Sequence, residues 1–283
     1  MTTRHMIIKE LLEQLYSGTS PYSSADASWV DEGYPHTNIV PELLETMFEM
    51  MEPSYIVEFG SMLGGSAIKM ADVIEKKGLK AEVVCIDPFV GDINMWDWEK
   101  DAEWKFLRLT DGVPTIYKRF LANCQQHGHE HRILPINTTT MIGAGLLHRL
   151  AEQRRIHGMP NYVYLDSAHL PEETFMELKA SWALLPDGGV LFGDDWSWPA
   201  VRTDVERFSQ AVGPEIDLGK LKSLSAKLGA EIQGGRILLY KGQWVLIKRL
   251  QCSPTSKELA KAARPAISLR KRIKNWLLGR RQA

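Results

Sequence analysis

Between about residues 55 and 250 the chain alternates short apolar runs with longer stretches of helical periodicity. The runs are YIVEFG (55–60), AEVVCIDP (81–88), RILPI (132–136), NYVYLDS (161–167) and GGVLFGD (188–194). Each is apolar almost throughout instead of alternating with polar residues, the pattern of a strand covered on both faces. Within 171–185, Phe175, Leu178, Trp182 and Leu185 recur three or four residues apart and predict one buried helix face. Pro171 suits the first helical position, and Pro186-Asp187-Gly188-Gly189 ends the helix. Strand–helix repetition of this kind predicts a parallel α/β sheet with helices on both faces.

The pattern changes toward the end. GRILLYKGQWVLIKR reads as two strands, 235–241 and 243–249, joined by a tight turn at Lys241-Gly242. A hairpin added to a parallel sheet makes one terminal strand antiparallel. Before the alternation begins, MIIKELLEQLY and PELLETMFEMM read as helices with a Ser/Tyr/Asp-rich link, so 1–53 is expected to cap the sheet. The expected division is this cap, a main domain over 54–250 and a tail over 251–283.

Composition narrows the class. With 44% hydrophobic and 24% charged residues, the 283-residue chain resembles an ordinary globular protein. MTTRHMIIKELLEQL has no long apolar leader, and no apolar run reaches the roughly 18 residues of a membrane span. Cys85, Cys124 and Cys252 are widely separated, which fits reduced thiols in a cytoplasmic protein better than disulfides or zinc. From Ser253 onward, four Lys and five Arg face one Glu, a net of +8, so the rest of the chain carries −9 within an overall −1.

Open α/β sheets bind ligands beyond the carboxyl ends of their strands, and three chemical signals fall there. EFGSMLGGS (58–66) follows the first strand and opens a helix. Its glycines allow close approach of backbone to ligand, and helix N–H groups suit a carboxylate. A dinucleotide fingerprint would need glycine at position 62, where Met62 stands. One βαβ unit later comes Asp87, placed to accept the two ribose hydroxyls of an adenosine.

VEFGSMLGGS, CIDPF, LDSAHLPEE and LLPDGGVLFGDDWSWPAV together resemble the class I S-adenosylmethionine-dependent methyltransferases. Within them the chain is most similar to the family 24 type, which includes macrocin O-methyltransferases and cephalosporin-hydroxylase-like proteins. The resemblance spans about residues 54–250. It implies a Rossmann-like sheet of order 3-2-1-4-5-7-6 with strand seven antiparallel, in agreement with the hairpin. It also implies that Glu58, Gly60, Ser61, Gly64, Gly65 and Ser66 surround the methionine half of S-adenosylmethionine. Asp87 would hold the ribose, Phe89 would flank the adenine, and Asn137, Thr138 and Thr139 would lie near the adenine edge.

The third signal is a set of carboxylates. Asp166 ends the fourth strand, and Asp194 and Asp195 end the fifth. Converging carboxylates raise one another's pKa, and a hard divalent cation relieves this. All-oxygen ligands favour Mg²⁺, Mn²⁺ or Ca²⁺ over zinc, so Asp166, Asp194 and Asp195 are the expected metal ligands, with Gly193 as the point where the strand breaks to let both adjacent carboxylates face inward. A metal that binds two adjacent hydroxyls lowers the pKa of one and orients it for attack on the sulfonium methyl. His169 is the candidate general base and Asp166 the alternative. Trp96, Trp98, Trp196 and Trp198 could form a platform for a sugar or aromatic acceptor, and 91–106 could form a lid.

In the tail, Leu269, Ile273, Trp276 and Leu277 share a helix face while Arg270, Lys271, Arg272 and Lys274 occupy the rest. Such a helix over 265–281 suits an anionic membrane surface or docking on a partner, including a neighbouring subunit of a homo-oligomer. The acidic body and the absence of a nucleic-acid motif argue against nucleic acid. The sequence thus points to a Mg²⁺-assisted O-methyltransferase acting on a hydroxyl of a sugar or related small molecule. A diverged or hydroxylase-like enzyme on the same fold, and a non-catalytic cofactor-binding module recruited by the tail, are the alternatives.

Overall fold

In a computed structural model, described here for residues 6–250 apart from 34, 98, 101–104 and 168, the apolar runs form a single eight-stranded sheet. The strands are β1 (Ile56–Phe59), β2 (Val83–Asp87), β3 (Ile133–Asn137), β4 (Tyr162–Leu165), β5 (Val190–Gly193), β6 (Glu231–Gln233), β7 (Ile237–Tyr240) and β8 (Gln243–Ile247). Their order is β3-β2-β1-β4-β5-β8-β7-β6, with β1 to β5 parallel and β6 to β8 antiparallel. This is the expected class I arrangement, with β7 and β8 as the hairpin. The addition is β6, a three-residue edge strand too short and too polar to leave a periodic signature.

The main helices are α1 (Ile7–Leu15), α2 (Pro41–Met50), α3 (Gly65–Lys76), α4 (Ile116–Gln126), α5 (Thr140–Glu152), α6 (Glu173–Leu184), α7 (Pro199–Ala211) and α8 (Leu218–Leu228). Residues of β1, β2, β4 and β5 are buried throughout, which is why their sequences are continuously apolar. Phe48, Tyr162, Tyr164 and Phe192 stack edge-on or tilted through the core. Helix α6 starts two residues after Pro171, because Glu172 adopts a left-handed conformation (φ +71°) that the helix cannot include.

The N-terminal elements are tied to the sheet by buried polar contacts. The backbone N–H of Ile8 donates to Glu82, and Tyr162 donates to the carbonyls of Met47 and Met51 at 2.8 and 2.6 Å. Asp31 receives a two-pronged bond from the buried guanidinium of Arg119 and another from Asn123. That anchor fixes the stretch leading to His36–Asn38, which runs over the glycine loop. The tail lies outside the described residues. No helix among those described is long and apolar enough to cross a membrane.

Candidate active site

At the carboxyl ends of β1, β2, β4 and β5 lies a cavity of about 270 Å³. Its floor is the glycine loop, and its shape depends on three glycines for different reasons. Gly60 has φ +81°, and a Cβ there would sit 2.0 Å from the carbonyl oxygen of Asp166. Gly64 caps α3 in the left-handed region. Gly65 has ordinary φ, but a side chain would meet the backbone oxygens of His36 and Pro35 at 2.3 and 2.6 Å.

Asp87 organises this loop directly. Its carboxylate accepts the backbone N–H groups of Ser61 at 2.7 Å, Met62 at 2.8 Å and Phe89. Burial raises its pKa, and these three donors oppose the rise. A carboxylate offers about four acceptor positions, so one is left for a ligand hydroxyl where two had been expected. Beneath the loop, Glu58 is wholly buried and does not line the cavity; it receives Ser61 Oγ at 2.7 Å, Ser66 Oγ and Cys85 Sγ.

Burial pushes the Glu58 carboxyl up to about 7 against the hydrogen bonds that favour its charge. The folded state therefore holds this proton more tightly than the unfolded chain. The associated stability is present in full below pH 4.5 and is lost as pH rises through 7. Urea unfolding across that range should show wild type losing stability relative to Glu58→Gln, with a difference approaching ~1.4 kcal/mol per pH unit. Parallel pH dependence in the two proteins would refute the assignment.

On the opposite wall stand Asp166, His169 and Asp195, whose donor atoms all lie within 4.8 Å of one another. Tyr164 donates to Asp166 at 3.3 Å. His169 Nε2 lies 2.7 Å from Asp195 Oδ2, and its Nδ1 lies 3.2 Å from Asp92 Oδ2. Burial alone would lower the imidazole pKa, yet Asp195 and Asp92 raise it to about 10. Burial, followed by the charges of Asp195 and Asp194, holds the Asp166 carboxyl well above its ordinary range. A protonated, doubly engaged His169 is a poor proton acceptor.

The strand break lies elsewhere than expected. Gly193 stays in the ladder between Leu165 and Trp244. Its missing side chain makes room for Trp244, whose ring a Cβ would meet at 2.4 Å. The turn is made by Asp195 itself, at φ +59°. Asp195 thereby faces the cavity, while Asp194 is buried and hydrogen-bonded to Asn38 and the Asp195 backbone. Asp194 is not among the converging donors; His169 occupies that place.

Gly60, Ser61, Ser66, Asp87, Asp166, His169 and Asp195 line the cavity as the sequence suggested. Phe89 does not: it is buried against Tyr117 and Phe120 at 5.0 and 5.2 Å between ring centres. Asn137 and Thr138 also lie off the cavity wall, where Asn137 pairs with Asp87 in the ladder. Of the tryptophans, Trp198 is 42% exposed at the rim and stacks on His169 at 4.9 Å, whereas Trp98 lies outside the described residues. Sequence reasoning missed His36, Thr37 and Asn38, which line the cavity from the N-terminal stretch; Asp92 and Met95, which also line it, fall within the 91–106 stretch read as a lid. Asp92 had one readable signal, the Gly91-Asp92 turn pair after Pro88-Phe89-Val90 at the end of β2; His36–Asn38 belong to no motif.

A methyltransferase-domain family model matches residues 57–196. Among solved structures, the chain is similar to cofactor-bound Rv0187 from MTB at 15% identity, with 86% of this chain and 97% of that chain covered and a TM-score of 0.49. It is also similar to an O-methyltransferase from Bacillus cereus in complex with SAH, at 11% identity, 85% and 97% coverage and a TM-score of 0.47. A third is the O-methyltransferase TomG from Streptomyces achromogenes, in complex with SAM, at 14% identity, 75% and 79% coverage and a TM-score of 0.43. No curated protein matches the chain. The stretch from β1 to the carboxylates after β5 is the stretch that the family model covers, and over it the chain carries a methyltransferase domain of the family 24 type.

Proposed function

We propose that the cavity binds S-adenosylmethionine and transfers its methyl group to a hydroxyl of a sugar or related small molecule. The observation that carries this reading is the meeting, in one cavity, of the glycine loop and the Asp166/His169/Asp195 cluster. The α3 N-terminus, with Ser66 on the cavity wall, suits the cofactor's carboxylate. The remaining acceptor position on Asp87 suits one ribose hydroxyl. The exposed face of Trp198 offers a flat apolar surface beside the carboxylates, where the C–H face of a sugar ring can rest.

In the reaction, an acceptor oxygen bonds to the methyl carbon as the carbon–sulfur bond breaks. S-adenosylhomocysteine leaves, and the hydroxyl proton goes to a carboxylate or to solvent. Much of the acceleration comes from holding oxygen and methyl in line, a contribution that reaches roughly 7–11 kcal/mol in favourable cases.

Two carboxylates and an imidazole within 4.8 Å also fit a divalent cation of the Mg²⁺ or Mn²⁺ kind. Asp166 and Asp195 would hold it with His169, and it would lower the pKa of the acceptor hydroxyl. A cation-free reading is favoured by His169, whose two nitrogens already face carboxylates; in that case Asp166 is the base. Calorimetric titration of Mg²⁺ and of Mn²⁺, with S-adenosylmethionine present, distinguishes the two readings. Saturable binding lost in Asp195→Asn supports the cation; no binding to wild type leaves Asp166 as the base.

A further inference from the structure

A second cavity, of about 280 Å³, lies at the end of the sheet opposite the catalytic rim. Tyr162, the first residue of β4, forms part of its wall, whereas the catalytic residues follow the last residues of β4 and β5. Met47, Met50 and Met51 at the end of α2 supply much of the rest. Methionine side chains are flexible and polarizable, and they conform to unbranched apolar ligands. The Tyr162 hydroxyl is already committed to the carbonyls of Met47 and Met51, which leaves Ser223 as the one other hydroxyl on the wall.

One charged residue lines this space. Lys220 stands half-buried on the first turn of α8, and its ammonium has no acidic partner among the described residues. Asp217, the N-cap of α8, accepts the Lys220 backbone N–H at 3.0 Å and so places a carboxylate on the same turn. Beside it, Gly219 lacks a side chain, and a Cβ there would lie 3.3 Å from Asp217 Oδ1. The combination is an apolar chamber with a single unpaired cation at its entrance.

We propose that this cavity is a binding site for a medium-chain carboxylate, its acyl chain among the three methionines and its carboxylate on Lys220. With roughly 30 Å³ per heavy atom, as for water in the liquid, about 280 Å³ holds a chain of about eight carbons. The charge on Lys220 selects a carboxylate over an alcohol of the same length, and the volume excludes a sixteen-carbon chain.

The test titrates octanoate, octan-1-ol and hexadecanoate into the full-length protein by calorimetry. Octanoate is expected to bind with one-to-one stoichiometry and more tightly than the other two. Lys220→Met should weaken octanoate at least tenfold and leave octanol unchanged, while Met47→Trp should abolish binding by filling the chamber. If Met47→Trp does not fold, Met50→Trp at the half-buried part of the wall serves the same purpose. S-adenosylmethionine affinity should be unaffected in all three variants. Equal affinity for octanol and octanoate, unchanged octanoate binding in Lys220→Met, or competition between octanoate and S-adenosylmethionine would each overturn the proposal.

Discussion

Alanine at position 60 is expected to abolish S-adenosylmethionine binding and to destabilise the protein by more than about 4 kcal/mol, a loss reached only by severe core or backbone disruption. Two effects combine. Gly60 has φ +81°, where an L-residue costs roughly 1–2 kcal/mol. Its new Cβ would also lie 2.0 Å from the carbonyl oxygen of Asp166 and 2.7 Å from Ser167 Cα, both of them backbone atoms that no rotamer change can move. The ends of β1 and β4 would have to part, although the Asp166 N–H is bonded to the Phe59 carbonyl at 2.9 Å. Neighbouring glycines provide the contrast. At Gly64 the nearest atoms are side chains of Cys124 and Phe120 at 3.2 Å, so Gly64→Ala should be milder. Gly65→Ala should displace the His36–Asn38 stretch from the cavity and leave the β1–β4 junction intact. Thermal unfolding with calorimetry ranks the three variants. Wild-type melting temperature and cofactor affinity in Gly60→Ala would contradict the packing described here.

The second large effect falls on the carboxylate cluster, where activity and stability should move in opposite directions. Asp166→Asn is expected to lower methyl transfer by roughly 10²–10⁴, the range for loss of a positioned acid–base group. Its carboxyl is held well above the usual range by burial and by the charges of Asp195 and Asp194. A raised carboxyl contributes stability at low pH, where it is protonated, and loses that contribution as pH rises through the folded value. At neutral pH the variant should therefore melt at a higher temperature than wild type while retaining only that residual activity. Below pH 4 the two should converge. In wild type the acid limb of the rate profile should lie above the ordinary carboxylate range and be absent from the residual activity of Asp166→Asn. A destabilised Asp166→Asn protein at pH 7 would show that the charge is better compensated than the geometry indicates.

Legibility in the sequence followed burial. β1, β2, β4 and β5 are covered on both faces, so their composition alone marked them, and the Lys241-Gly242 turn marked the final hairpin. Glycine carried less information than its position suggested. Gly193 reads as a hinge before two aspartates, but an absent side chain serves close packing equally well, and there Trp244 fills the space. The turn fell instead on Asp195, a residue type that tolerates positive φ. Once Asp195 turns inward, Asp194 is directed to Asn38 and His169 comes to the cluster. That exchange depends on one backbone angle, and no spacing rule encodes it. Phe89 is a similar case: at φ +54° it leaves the rim and enters the core between Tyr117 and Phe120. The His36–Asn38 contribution was illegible for another reason. It is a long-range contact set by Asp31 on Arg119, and nothing local to those residues signals it.

The central claim is that the loop held by Asp87 is a cofactor site. Calorimetric titration of S-adenosylmethionine into the full-length protein, beside NAD⁺, tests it most directly. One-to-one binding of S-adenosylmethionine, no binding of NAD⁺, and loss of the signal in Asp87→Ala are the predicted results. Absence of S-adenosylmethionine binding to the folded wild-type protein, or undiminished binding to Asp87→Ala, would contradict it.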